Sequence, residues 1–219
     1  MTTNSRAPDS ENTLYEAILE DIYSGTLKGG ERLKVSELAD RFGVSTSPIR
    51  EVLRQMQGEG FVEIHQNRGA TIKLADASTI QNIFEVLQLL EPYFVGWFAD
   101  YAQPQMVEEM ALIQEQIKAT PVNDQLAFRK LDFEFHWSIC KRHYNQVAAK
   151  TWRNLRTALN VHAADLRISP VRYQAILEDH DALLAAFKVN DAAQADAVIR
   201  KHIDGSFVQM SQQMRAIGL

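Results

Sequence analysis

Residues 31–60 read ERLKVSELADRFGVSTSPIREVLRQMQGEG, and within them two short helical patterns meet at a glycine. In the first, Leu33, Leu38, Ala39 and Phe42 can face a core, Gly43 supplies the left-handed residue that ends a helix, and Val44 re-enters the core. In the second, Ser45 is a fitting N-cap and Pro48 is tolerated in the first turn. Ile49, Val52, Leu53 and Met56 then repeat at the i, i+3, i+4, i+7 spacing of a buried stripe. Ser47, Arg50 and Arg54 point the other way. Arg50 and Arg54 stand one turn apart, and a guanidinium pairs bidentately with guanine or clamps a phosphate. The hydroxyls of Ser45, Thr46 and Ser47 sit at the helix N-terminus, where unpaired N–H groups and the macrodipole favour an anion. This is the chemistry of a helix that reads a major groove. A lone Arg-x-x-x-Arg pair is more often a solvated charged face, so the flanking segments decide.

Upstream, Thr13-x-x-Glu16 reads as a capping box opening a helix whose Leu14, Ala17, Ile18 and Ile22 share a face and which ends near Gly25. Downstream, Phe61, Val62 and Ile64 form one short strand and Ala70, Thr71 and Ile72 the next, joined by residues His65 to Gly69. Helix, helix-turn-helix and hairpin make a winged helix. Its polar tip, with Arg68 and Gly69, can lie against a DNA backbone or enter the minor groove.

Across Leu14 to Ile72 the chain resembles the GntR family of bacterial transcription regulators. Its pattern appears as Gly25-Thr26-Leu27, Leu38-Ala39, Gly43-Val44-Ser45, Pro48-Ile49-Arg50-Glu51 and Arg68-Gly69-Ala70. In that family the start of the reading helix, its Pro-x-Arg arginine and the wing glycine contact the operator. The resemblance therefore carries DNA contacts onto Ser45, Thr46, Ser47, Arg50 and Gly69. One departure is Thr46, where the family often has arginine, so base preference at that contact is expected to differ.

With 219 residues, 46% of them hydrophobic, the chain can bury a substantial core and form two modest domains. A net charge of −5 runs against DNA binding, yet residues 24–74 hold eight Lys/Arg against six Asp/Glu, an excess of two. Affinity must come from placement and from doubling the contacts in a homodimer. Cys140 is the single cysteine, beside Trp137 and Ile139 in a helical segment, and reads as core rather than redox. The first dozen residues are polar, and no apolar run is long enough to span a membrane. A cytoplasmic bacterial protein is expected, on the nucleoid when bound to DNA. The predicted organisation is a disordered tail over 1–12, a winged helix over 13–75 and an all-α bundle over 76–219. The fold class is thus mainly α, with a small β-hairpin wing.

Six bundle helices are predicted, near 78–102, 104–118, 123–143, 146–166, 170–189 and 191–216, separated by signals such as Gln103-Pro104, Thr120-Pro121, Ser169-Pro170 and Asn190-Asp191. Phe84, Phe94, Trp97, Phe98, Phe128, Phe133, Phe135, Trp137, Trp152 and Phe187 supply much of the core, as aromatic stripes at helical spacing ordinarily do. Three histidines lie on or beside apolar stripes, where an unpaired imidazole is costly. His136 follows Asp132 by four residues, on one helix face with Phe128, Leu131 and Phe135. His180 sits within Ile176, Leu183, Leu184 and Phe187, and His202 lies between Val198 and Ile203. Singly, each reads as a satisfied core histidine. If their helices share an interior, a carboxylate and three imidazoles converge, a set suited to zinc, nickel, iron, cobalt or manganese with open positions left over.

The bundle resembles the FCD-type effector domain of the FadR-like branch of the GntR family, in its short, six-helix, VanR-like form. The match rests on Asp132-Phe133-Glu134-Phe135-His136 followed by Asn145, on Asp179-His180-Asp181-Ala182-Leu183-Leu184-Ala185-Ala186, and on Lys201-His202-Ile203. In metal-binding members the matching Asp and three His hold a divalent ion, often zinc. The resemblance thus makes Asp132, His136, His180 and His202 the metal ligands, with His143 and His162 at the surface or pocket edge. It also implies a small organic acid as effector, its carboxylate on the ion. Many members pair it with an arginine on the first bundle helix; Leu87 stands at that position here. Gln88, Arg156 and Arg172 are the candidate replacements, although arginines of this kind are usually solvated.

These readings predict a homodimeric regulator, most simply a repressor, on an inverted-repeat operator, with affinity set by a carboxylate effector near a zinc-type ion. Two rivals stay open. A metalloenzyme could activate water on the same four residues, but no nucleophile elbow, phosphate loop or zinc-protease motif accompanies them. Alternatively the ion is absent, or is itself the signal.

Overall fold

The computed structural model describes residues 11–23, 26–65, 69–73, 77–163, 166–216 and 218. They form two compact units, one of the residues up to 73 with 160–163, the other of 77–159 with 166–218.

The first unit contains α1 (Glu11–Tyr23), β1 (Arg32–Leu33), α2 (Val35–Phe42), α3 (Thr46–Gly58), β2 (Val62–His65) and β3 (Gly69–Ile72). The apolar stripe of α3 behaves as its spacing requires, with Ile49, Val52, Leu53 and Met56 buried against α1, α2 and β2. Leu14, Ile18 and Ile22 of α1 and Leu38 and Ala39 of α2 complete that core. Gly43 caps α2 at φ 67° and ψ 32°, its N–H bonding the Ala39 carbonyl, and so turns the chain into α3 within three residues. The sheet is antiparallel in the order β1-β3-β2, with Val62 opposite Ile72 and Leu33 opposite Ala70.

Three sequence expectations change here. Thr13 does not cap α1, because the helix is already running at Glu11; Ser/Thr-x-x-Glu is short enough that helix interiors also match it. The tail predicted over 1–12 therefore yields Glu11 and Asn12 to α1, while residues 1–10 lie outside the described residues, as does Gly25. Leu33 belongs not to a helical face but to β1, a strand of two residues that is too short to show alternation.

The second unit is made of α4 (Ala77–Tyr101), α5 (Pro104–Ala119), α6 (Gln125–Cys140), α7 (Gln146–His162) up to Leu159, α8 (Pro170–Lys188) and α9 (Ala192–Ala216). Among the described residues these match the six predicted helices one for one. α4 runs along α9, α8 packs on α9 and α5, and α5 packs on α6. Asp124 caps α6 by accepting from the Ala127 N–H at 3.0 Å, and Ser169 caps α8 by accepting from Arg172 at 3.2 Å, with Pro170 in the first turn. α6 stops three residues short of the predicted end. Nothing in Lys141-Arg142-His143 forbids a helix; what ends it is the burial of His143, whose ring lies 4.6 Å from Tyr93, 4.7 Å from Trp97 and 4.3 Å from Tyr144 by centroid. His143 is thus a core residue, not a surface or edge one. α7 likewise ends at His162, which is half-buried. Phe84, Phe94, Phe98, Phe128, Phe135, Trp152 and Phe187 are buried, and Trp97, Phe133 and Trp137 half-buried. Burial also pushes the Cys140 thiol well up, leaving it an inert core residue.

Candidate functional site

In the first unit, α3 presents Ser45, Thr46, Ser47, Arg50 and Arg54 as exposed residues. Ser45 holds the N-cap position with extended backbone, and its hydroxyl makes no capping bond. Arg54 is held by Glu51 one turn earlier in an exposed ion pair. A cleft of about 520 Å³ opens beside this helix, lined by Arg32, Lys34, Ser36, Thr46, Arg50 and Arg54 along with the wing residues His65 and Gly69. Gly69 has φ +83°, and a Cβ there would run into the Leu33 carbonyl oxygen, so the strand pairing itself demands glycine. Arg68 lies outside the described residues.

In the second unit, Asp132 and His136 come from α6, His180 from α8 and His202 from α9. Each offers one donor atom, and the four atoms all lie within 4.8 Å of one another. The Nε2 atoms of His136 and His180 are 3.3 Å apart, and Asp132 Oδ1 stands 3.6 Å from His180 Nε2 and 4.0 Å from His136 Nε2. The three imidazoles are buried, and His180 stacks on Phe135 at 3.9 Å and 8°. Burial holds the His136 and His180 pKa values well below the ordinary histidine range, and neighbouring Arg156 and His202 push the same way. Both rings are therefore neutral, the form in which imidazole ligates.

A divalent cation fits these residues. Asp132 Oδ1 is buried with no hydrogen-bond partner, an arrangement that costs free energy unless something positive meets it. The 3.3 Å between the two Nε2 atoms is also about the separation of two adjacent ligand atoms on one ion with bonds of about 2 Å. One carboxylate and three neutral imidazoles suit zinc and its neighbours in the first transition row.

Two family profiles match the chain: that of the bacterial regulatory proteins of the gntR family over residues 11–72, and that of the FCD domain over residues 82–205. The chain is a GntR-family regulator.

With its FCD domain, this GntR-family protein is a DNA-binding transcription regulator and not an enzyme, which removes the metalloenzyme rival. It is 30% identical to the Nta operon transcriptional regulator of Aminobacter aminovorans over 183 residues, covering 80% of this chain and 84% of that one. It is 24% identical to the gluconate operon transcriptional repressor of Bacillus subtilis over 225 residues, covering 98% and 92%. E. coli McbR/YncC shares the fold with a TM-score of 0.82 at 19% identity, over 93% of this chain and 97% of that one. Among the described residues no helix of the regulator is long and apolar enough to cross a membrane.

The candidate effector residues of the regulator sit differently from one another. Leu87 is fully buried. Gln88, its neighbour, is half-buried and donates to Asp204 Oδ1 on α9 at 2.8 Å. The two arginines are not solvated, as arginines usually are, but buried. Arg156 donates to Asp132 Oδ2 at 2.8 Å and stands 3.7 Å from Glu91 Oε1, which ties it to the cluster. Arg172 donates to the His202 carbonyl at 2.6 Å and to Ser206 Oγ at 2.8 Å, lying over Gly205, where any Cβ would meet its guanidinium.

Three residues against the histidines carried no role in the sequence reading: Glu91, Gln114 and Asp179, all buried. Their signal was present. Glu91 interrupts the α4 stripe of Phe84, Leu87, Phe94 and Phe98, and Gln114 falls in register with Val107, Met110 and Ile117 on α5. A polar residue on a buried stripe asks for a partner, though not which one.

Proposed function

We propose that this regulator is a homodimeric repressor whose operator affinity is controlled by a small carboxylate bound at a divalent ion, zinc first among the candidates, held by Asp132, His136, His180 and His202. The convergence of those four donors from three helices is the observation that carries this reading. An ion held by these four donors would supply a Lewis-acidic point, and expansion beyond four-coordination would give a carboxylate a place on it. Arg156, already on Asp132, supplies a second positive charge beside it. One relative is named for a gluconate operon, and gluconate is itself a carboxylate.

In this reading residues 13–75 are the DNA-binding domain and 76–219 the effector domain. Ser45, Thr46 and Ser47 hold phosphates, Arg50 and Arg54 reach base edges or backbone, and Arg68 and Gly69 place the wing. A dimer is supported by the exposed apolar row Val86, Leu89, Tyr93 and Tyr101 along α4, with Tyr144 and Val147, which water alone would cover poorly. Two copies would read an inverted repeat through successive major grooves, on the nucleoid of the cytoplasm. The effector acts by binding one bundle arrangement better than another, and a coupling of about 1–3 kcal/mol changes operator affinity about 5- to 150-fold.

The test is operator binding by fluorescence anisotropy, using a duplex recovered by selection from random sequence. A panel of small carboxylates beginning with gluconate is titrated into metal-replete and chelated protein. An acid that releases the operator only from metal-replete protein supports the proposal. Release to the same extent after chelation refutes the role of the ion, and release by metal alone makes the ion the signal.

A further inference from the structure

Each cluster histidine turns its other ring nitrogen toward a different acceptor. The Gln114 amide nitrogen donates to the Leu177 carbonyl at 3.0 Å and to Asp181 Oδ1 at 3.1 Å, so the amide oxygen is the end left facing His180 Nδ1, at 3.1 Å. A carbonyl oxygen only accepts, so Nδ1 of His180 carries the proton and Nε2 is bare. His136 Nδ1 faces Glu91 Oε2 at 3.7 Å, just beyond hydrogen-bond distance and with that oxygen otherwise unpartnered, while the carboxylate is anchored through its other oxygen by the Trp152 indole N–H at 3.1 Å. His202 Nδ1 lies 3.4 Å from Asp179 Oδ2, whose other oxygen accepts from Lys201 at 2.9 Å. α8 thus supplies a donor to the cluster through His180 and, one residue earlier, the partner of a donor on α9.

We propose that Gln114, Glu91 and Asp179 are positioning residues, one for the Nδ1 of each histidine, which fix the imidazoles with Nε2 toward the common point. This deepens the metal reading and rests on it. On this assignment the proton of both His136 and His180 is on Nδ1, and no ring proton is left to sit between their Nε2 atoms, 3.3 Å apart. The shell therefore turns the cluster from a possible histidine–histidine hydrogen bond into a cation site. Among the three acceptors Gln114 is neutral, so it sets the tautomer without adding charge, and its amide can be replaced by an apolar side chain of similar length.

The experiment uses the full chain as Gln114→Met and Gln114→Glu, with circular dichroism confirming helix content. Long-range ¹H–¹⁵N correlation spectra of chelated protein read the His180 tautomer, and competition with a chromophoric chelator reads Zn²⁺ affinity. Wild type and Gln114→Glu show Nδ1-protonated His180, whereas Gln114→Met shifts to the other tautomer. Loss of an outer partner weakens metal binding about 10- to 100-fold, expected for Gln114→Met but not for Gln114→Glu. Asp179→Asn, which keeps the shape and can turn an N–H toward His202, is the second variant and is expected to weaken Zn²⁺ to a similar degree. An unchanged tautomer and affinity in Gln114→Met overturns the proposal, as does loss of affinity in Gln114→Met with the His180 tautomer unmoved, which would mean that only packing matters. If wild type takes up no Zn²⁺ the metal reading falls, and the tautomer spectra still decide whether Gln114 orients His180.

Discussion

Nε2 of His136 on α6 lies 3.3 Å from Nε2 of His180 on α8, inside a site where burial holds both rings neutral. With each ring proton on Nδ1, as proposed, the two Nε2 atoms are bare and repel each other at this distance, and Asp132 Oδ1, buried without a hydrogen-bond partner, stands beside them. The bundle is thus built around a place where positive charge is wanted, and the fold keeps that place through three helices rather than one.

Metal removal is therefore expected to weaken the bundle. A ligand at 100 times its Kd adds about 2.7 kcal/mol to the folded state. Differential scanning calorimetry should show chelation lowering the midpoint of the bundle's transition in wild type but not in His180→Ala. Coincident curves for loaded and chelated wild type would count against a bound ion.

On the DNA side, Arg50→Ala should cost about 1–3 kcal/mol of operator affinity and relax preference at one position. Lys34→Ala, at the cleft rim, should instead weaken all sequences alike and lower the salt slope by about 1. Anisotropy titrations across a salt series separate the two. An Arg50→Ala protein that binds as wild type does would remove α3 from the groove.

Much of this was legible in the chain. The α3 stripe of Ile49, Val52, Leu53 and Met56 needs only local spacing to be read, and so do the six bundle helices. The four donors could be named because Asp132 and His136 share a helix face and the flanking motifs resemble a family. Their convergence is a property of how α6, α8 and α9 pack, which periodicity does not encode. Gln114 and Glu91 escaped for the same reason, since their partners are on other helices. The early end of α6 escaped because it is set by rings on α4 that enclose His143.

A side chain at Gly205 is expected to be costly because it displaces Arg172. Gly205→Ala would drive the Arg172 guanidinium from its contacts with His202 and Ser206. Overpacking of this kind costs about 1–3 kcal/mol, readable as a lower urea midpoint. The double variant Gly205→Ala with Arg172→Met should recover part of it, and a single variant as stable as wild type would show that Arg172 is free to move.

His143 should make stability depend on pH. Burial lowers its pKa from the ordinary 6.5, and its Nδ1 accepts the Asn145 N–H at 2.9 Å, a bond that protonation there would break. Between the folded and unfolded pKa values the unfolded chain binds more protons, so stability rises with pH. The contribution is whole above about 6.5 and is lost as pH falls through the lower, folded pKa. Urea midpoints measured from pH 7.5 to 5 should fall less in His143→Phe than in wild type; parallel falls would place the pH dependence elsewhere.

The most direct test of the central claim is native mass spectrometry of untagged protein as purified, alongside His180→Ala. A dimer carrying one divalent ion per chain, absent from the variant, is the predicted result. A wild-type dimer that carries no ion, and takes none up when zinc is added, would contradict it.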